Sequence, residues 1–142
     1  MNISQGFQIE QPKVFVPWQI NEKLLVDLFS AYNLRKVTNG HYSLSCVSLG
    51  RLHHELGLHF HPRANGVLME MEFYLKSPRS LTQSFKMLQR SFEATFGAPT
   101  IAKRVRRSYR ENSYTWELKG VRIEHHLRER IWDADKVRVI KG

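Results

Sequence analysis

In residues 80–97, SLTQSFKMLQRSFEATFG, the residues Leu81, Phe85, Leu88, Phe92 and Phe96 stand four, three, four and four apart. That spacing lines one stripe of an α-helix. Two starts compete: Ser77 with Pro78 at the first helical position, or Ser80 with Gln83 as a capping box. Gly97 can take a left-handed cap and Pro99 forbids continuation, so the end is clear. A helix with three phenylalanines on one stripe needs a sheet to lie on, and strand-like runs flank it on both sides.

Upstream, Phe7–Glu10 and Lys13–Val16 alternate like the arms of a hairpin around Gln11-Pro12. Asn21 is a good N-cap for a first helix whose expected buried stripe is Leu24, Leu25, Leu28, Phe29 and Tyr32. After the Thr38-Asn39-Gly40 turn signal come three strand candidates: Tyr42–Leu49, Leu56–His61 and Val67–Leu75. The last is the cleanest alternation in the chain. It sets Val67, Met69, Met71, Phe73 and Leu75 against Leu68, Glu70, Glu72 and Tyr74. Past the central helix the pattern predicts strands at Ile101–Ser108, Tyr114–Leu118 and Val121–Leu127, with Lys119-Gly120 as a tight turn. A final short strand, Lys136–Ile140, is expected to add to an edge. These elements predict a single α+β domain over residues 1–142. Its expected form is a curved antiparallel sheet of about six to eight strands with two main helices packed on one face.

Composition refines this reading without overturning it. At 142 residues, 42% hydrophobic and 25% charged, the chain can bury a core without staples. The lone Cys46 forms no intrachain disulfide, and the first residues carry no basic and apolar leader pattern. No apolar run approaches a membrane span. The expectation is a cytoplasmic protein. Net charge is +9, of which residues 1–97 contribute +3 and residues 98–142 contribute +6. An excess concentrated in the last third points to an anionic partner on that side.

Three constellations bear on chemistry. His53, His54, His59 and His61, with Glu55, fall within eleven residues. His59 and His61 are two apart on a strand, so their Cα atoms stand about 6.5–7 Å apart on one face. That pair could grasp Zn²⁺ with a third ligand from His53, His54 or Glu55, or simply occupy the solvent side while Leu58 and Phe60 point inward. Glu70 and Glu72 share a strand face and could do acid/base work, but their alternation with Met69 and Met71 already explains them as the outer face. Cys46 shares a face with Tyr42 and Leu44 and reads as a buried structural thiol. Of the neighbours His125 and His126, one is expected inside and one outside. There is no glycine-rich phosphate loop, no Gly-x-Ser-x-Gly elbow and no Cys-x-x-Cys. The chain is therefore expected to be no enzyme and to need no cofactor.

The basic constellation is the strongest positive signal. Lys103, Arg104, Arg106, Arg107 and Arg110 crowd one strand and its loop, Arg122 and Arg128 lie on the hairpin after it, and Tyr109, Tyr114 and Trp116 interleave. Arg79, Lys86 and Arg90 form a second stripe on the central helix. Arginines among aromatics suit phosphate contact and base stacking. They equally suit a protein interface, and the alternation puts Tyr114 and Trp116 on the core side, which favours a protein partner with an acidic surface over nucleic acid.

Phe15-Val16-Pro17-Trp18 before the first helix, the mid-chain helix ending Phe96-Gly97-Ala98-Pro99, and Trp116 ahead of the Val121–Leu127 strand together carry a resemblance. The chain resembles small cytoplasmic bacterial α+β proteins of the immunity-protein type, and its alternation of helices and strands is similar to secretion-chaperone-like domains. The resemblance implies non-catalytic binding of another protein, such as a toxin or effector. The charge departs from it: inhibitors that mimic nucleic acid to block a nuclease are acidic.

Overall fold

The structure is a computed structural model describing residues 1–76, 80–104, 112–128 and 134–142. The chain opens with the expected hairpin, β1 (Gly6–Ile9) and β2 (Val14–Pro17), which forms a separate two-stranded sheet. Then come α1 (Glu22–Leu28), β3 (Arg35–Thr38), β4 (His41–Ser48), β5 (Leu52–His61) and β6 (Val67–Tyr74). After α2 (Leu81–Phe96) follow β7 (Ile101–Lys103), β8 (Ser113–Leu118), β9 (Val121–Arg128) and β10 (Ala134–Lys141). Strands β3 to β10 make one open, fully antiparallel sheet in the order β3-β4-β5-β6-β10-β9-β8-β7.

That order corrects two expectations. The sheet content is larger than foreseen: eight strands in one sheet and two in the hairpin. The C-terminal strand also lies between β6 and β9, far from either edge. Val137 and Val139 are fully buried there, opposite Phe73 and Met71 across the β6–β10 seam. Each helix is followed by a four-strand meander, and the two meanders join back to back through their last strands.

The central helix forms as its periodicity demands. Ser80 is the N-cap, its hydroxyl accepting from Gln83 N at 3.1 Å, which decides between the two starts. Gly97 follows with φ 83°, the left-handed region that favours glycine. Phe85, Leu88 and Phe92 are buried, Phe92 meeting Phe73 edge-on at 5.2 Å and Trp116 at 6.1 Å. The hairpin adds Phe7 against Phe73 at 4.9 Å. Glu10 then ties the hairpin to the β4–β5 turn by accepting from Gly50 N and Arg51 N.

The first helix departs from its expected stripe. It spans seven residues, and only Leu25 and Phe29 are buried. Leu24, Leu28 and Tyr32 are exposed, because two turns bring a single i, i+4 pair onto the core. The β6 alternation also shifts. A bulge between His59 and Phe60 alters the β5–β6 register, so Leu68 joins Met71 and Phe73 in the core while Val67 and Met69 are only half-buried.

Candidate functional site

Four groups of side chains bear on function. The first is the polar face of the sheet at the β6–β10 seam. Glu70 and Glu72 lie on the face opposite Met71 and Phe73, as the alternation requires. Arg138 donates to Glu70 at 2.7 Å and Lys136 to Glu72 at 3.2 Å, so cross-strand ion pairs bridge the two meanders. His59 Nε2 stands 3.3 Å from Glu72. Burial by itself raises the Glu72 carboxyl, but the adjacent His59 and the charge of Lys136 outweigh it and hold the group at about 2. His41 lies face to face with His59, ring centres 4.1 Å apart.

Ligand atoms of His59, Glu70 and Glu72 fall within 4.8 Å of one another. Both carboxylates are already balanced by Arg138 and Lys136, and the near-parallel rings of His41 and His59 do not converge on one point. The cluster reads as an ion-pair network. The four histidines singled out in the sequence are not brought together. His53 and His61 are exposed, whereas His54 is buried on the core face, opposite to His59.

His54 belongs to the second group. Its ring touches Ser48 Oγ and lies 3.7 Å from Cys46 Sγ, while Nδ1 is 3.0 Å from the Glu55 carbonyl oxygen. Burial lowers the His54 pKa, against the Glu55 carbonyl and carboxylate that favour its proton. Burial also pushes the Cys46 thiol up to about 12, with Glu55 adding to the effect. A thiol held so far from ionisation is a poor nucleophile. Both residues sit in an open cleft of about 1170 Å³, whose wall also includes Tyr32, Arg35, Leu44 and Met87.

The third group escaped sequence reasoning, although its members were in view. His125 is fully buried, Nε2 at 2.8 Å from Asp135 and Nδ1 at 2.7 Å from Gln89 Oε1. Its ring stacks on Phe85 at 4.0 Å, and Ser84 donates to the second Asp135 oxygen at 2.7 Å. The serine reaches the carboxylate rather than the imidazole, so this is no nucleophile–base pair. It fastens α2 to β9 and β10. The signal available in the sequence was Ser84 and Gln89 interrupting the apolar stripe of the helix.

The fourth group is the surface. Lys103, Arg104 and Arg122 are exposed, with Arg122 3.6 Å from Glu124. Arg104 also contacts Tyr114, Nε to hydroxyl at 3.4 Å. Arg106, Arg107, Arg110, Tyr109 and Arg79 lie outside the described residues, as does the expected strand beyond Lys103. Arg128 closes β9 opposite Ala134. Trp116 is fully buried with Nε1 donating to the Gly97 carbonyl at 2.9 Å, and Tyr114 is buried too, so neither ring offers a free stacking face. Exposed apolar side chains concentrate in another stretch of the chain. Of nine exposed large apolar side chains among the described residues, five are Leu24, Val26, Leu28, Tyr32 and Val37. They belong to α1, the segment after it and β3, an edge strand whose four residues are all exposed.

These features define an open-sheet α+β domain, and no helix is long and apolar enough to cross a membrane among the described residues. Among solved structures the chain is similar to a DUF4309 family protein (YjgB) from Bacillus subtilis, at 13% identity and a TM-score of 0.47, over 86% of this chain and 78% of that one. No protein-family description matches the sequence, and no curated protein matches it.

Proposed function

We propose that this chain is a non-catalytic protein-binding domain that docks its partner on α1 and the edge strand β3. The observation that carries this reading is the grouping of Leu24, Val26, Leu28, Tyr32 and Val37, all exposed, within fourteen residues of sequence. Scattered exposed apolar residues are ordinary, whereas a run of them leading into an open strand edge is a surface that partners cover. Arg35 and Lys36 on β3, within a chain of net charge +9, favour a partner with an acidic surface. A toxin or effector protein is the partner class that the resemblance to immunity proteins and secretion chaperones implies. The exposed Lys103, Arg104 and Arg122 are the secondary contacts of this reading.

The test compares capture from the host's nuclease-treated lysate by three forms of the protein. One protein should be retained by the native chain and by Arg104→Glu, and lost by Leu24→Asp with Val37→Asp. Equal capture by all three forms would place the interface elsewhere. Loss of the companion with nuclease, or its release in steep proportion to salt, would instead identify nucleic acid.

A further inference from the structure

Where β3, β4 and β5 meet, two imidazoles are pressed together. His41 opens β4 immediately after the Gly40 turn and sits directly across from His59. The rings are 4.1 Å apart and 17° from parallel. Gly57 borders them: a Cβ at that position would lie in ordinary contact, 3.5 Å from His41 Nε2 and 3.7 Å from His59 Nε2. Charged groups on this face come from every neighbouring element, beginning with Arg35 of β3, which pairs with Glu55 of β5 at 3.5 Å. Strand β6 supplies Glu70 and Glu72, β10 supplies Lys136 and Arg138, and the turn after β5 supplies Arg63.

This arrangement accommodates one proton and resists a second. A proton on His59 faces Glu72 at 3.3 Å. A proton on His41 is opposed by burial first and then by His59, with Lys136 and Arg63 adding to the opposition and Glu72 alone favouring it. Two cationic rings at the observed separation repel, whereas neutral or singly protonated rings attract through their faces. His41 also pairs with Thr38 of β3, an edge strand of the sheet. Strand β3 pairs with β4 alone, through Arg35, Lys36 and Thr38, and a shift in register interrupts even that short ladder.

We propose that the stacked His41–His59 pair is an acid-released latch. Protonation of both rings separates them and frees β3 from the edge of the sheet while the central strands stay paired. The inference concerns the fold and does not depend on what docks at that edge. His54 lies on the opposite face of β5, within the core, so its own titration acts on the sheet as a whole.

Hydrogen exchange of backbone amides, read at pH 7.5 and pH 5.0 and corrected for intrinsic exchange, tests the latch. In the native protein, protection across residues 35–43 should fall at least tenfold at the lower pH, while β6 and β10 hold theirs. In His41→Phe, which keeps a stacking face and loses the proton site, the same residues should change less than twofold. His41→Gln should behave likewise, and serves where the phenylalanine does not fold. Unchanged protection of β3 in the native chain would overturn the proposal. So would an equal fall in the variants, or a loss spread evenly over all the strands. Imidazole resonances give an independent reading: His41 should titrate below the ordinary histidine range, and an unperturbed His41 would sink the idea.

Discussion

At the scale of single residues, the buried polar groups have the largest consequences. His125 and Asp135 are both inside, and each is the other's main partner. His125→Ala leaves the Asp135 carboxylate with Ser84 as its remaining donor among the described residues, which is expected to cost about 3–5 kcal/mol. Urea unfolding measures this directly, and a loss under about 1 kcal/mol would mean that water replaces the imidazole at no penalty. Cys46 makes the opposite kind of claim. Its thiol is buried and held up to about 12, so a thiol reagent at pH 8 should react on the order of a hundredfold more slowly with the folded protein than with the chain in urea. Comparable rates would show that the cleft admits the reagent and that the thiol ionises readily.

At the scale of elements, the C-terminal strand decides the most. Strand β10 pairs β9 on one side and β6 on the other, and without it the two meanders have no common seam. Deleting residues 134–142 removes two strand interfaces, two fully buried valines, Asp135 and the partners of Glu70 and Glu72. The truncated chain should lack a cooperative thermal transition, as read by circular dichroism. A cooperative transition within a few degrees of the full chain's would mean that the strand is peripheral after all. Helix α1 shows the converse. It is capped by Asn21, whose side chain accepts from Leu24 N at 2.8 Å, yet it commits only Leu25 and Phe29 to the core. Its remaining apolar residues, Leu24, Val26 and Leu28, are exposed.

At the scale of the molecule, acid should weaken the fold through two sets of groups. His41 and His54 both have native pKa values below 6.5. The unfolded chain therefore binds more protons than the native one as pH falls below that value. Their penalty is absent above pH 6.5 and grows as pH drops toward their native values. Glu72 acts later. Its native value of about 2 against 4.5 contributes stability above pH 4.5, roughly 2 kcal/mol after allowance for solvent screening, which is lost between pH 4.5 and 2. Urea midpoints measured from pH 8 to pH 2.5 should show both declines. His41→Phe should reduce the first and leave the second in place.

Much of the secondary structure was legible in the chain because its causes are local. The Phe85–Leu88–Phe92 stripe, the Ser80 and Asn21 caps and the alternation of Tyr114 and Trp116 each follow from neighbours a few residues apart. The same alternation put Glu70 and Glu72 outside and one of the paired histidines inside. Tertiary structure alone decided what depends on which strands become neighbours. Strand β10 lies at the centre because its two buried valines meet Phe73 and Met71, more than sixty residues away. The bulge that brings Leu68 inward arises from the pairing of β5 with β6, and neither strand announces it. Histidines close in sequence were parted because successive strand residues face opposite sides. His41 and His59, eighteen residues apart, were stacked because an antiparallel hairpin sets them opposite each other. Periodicity reveals which side of an element turns inward; only the packed sheet determines which side chains meet there.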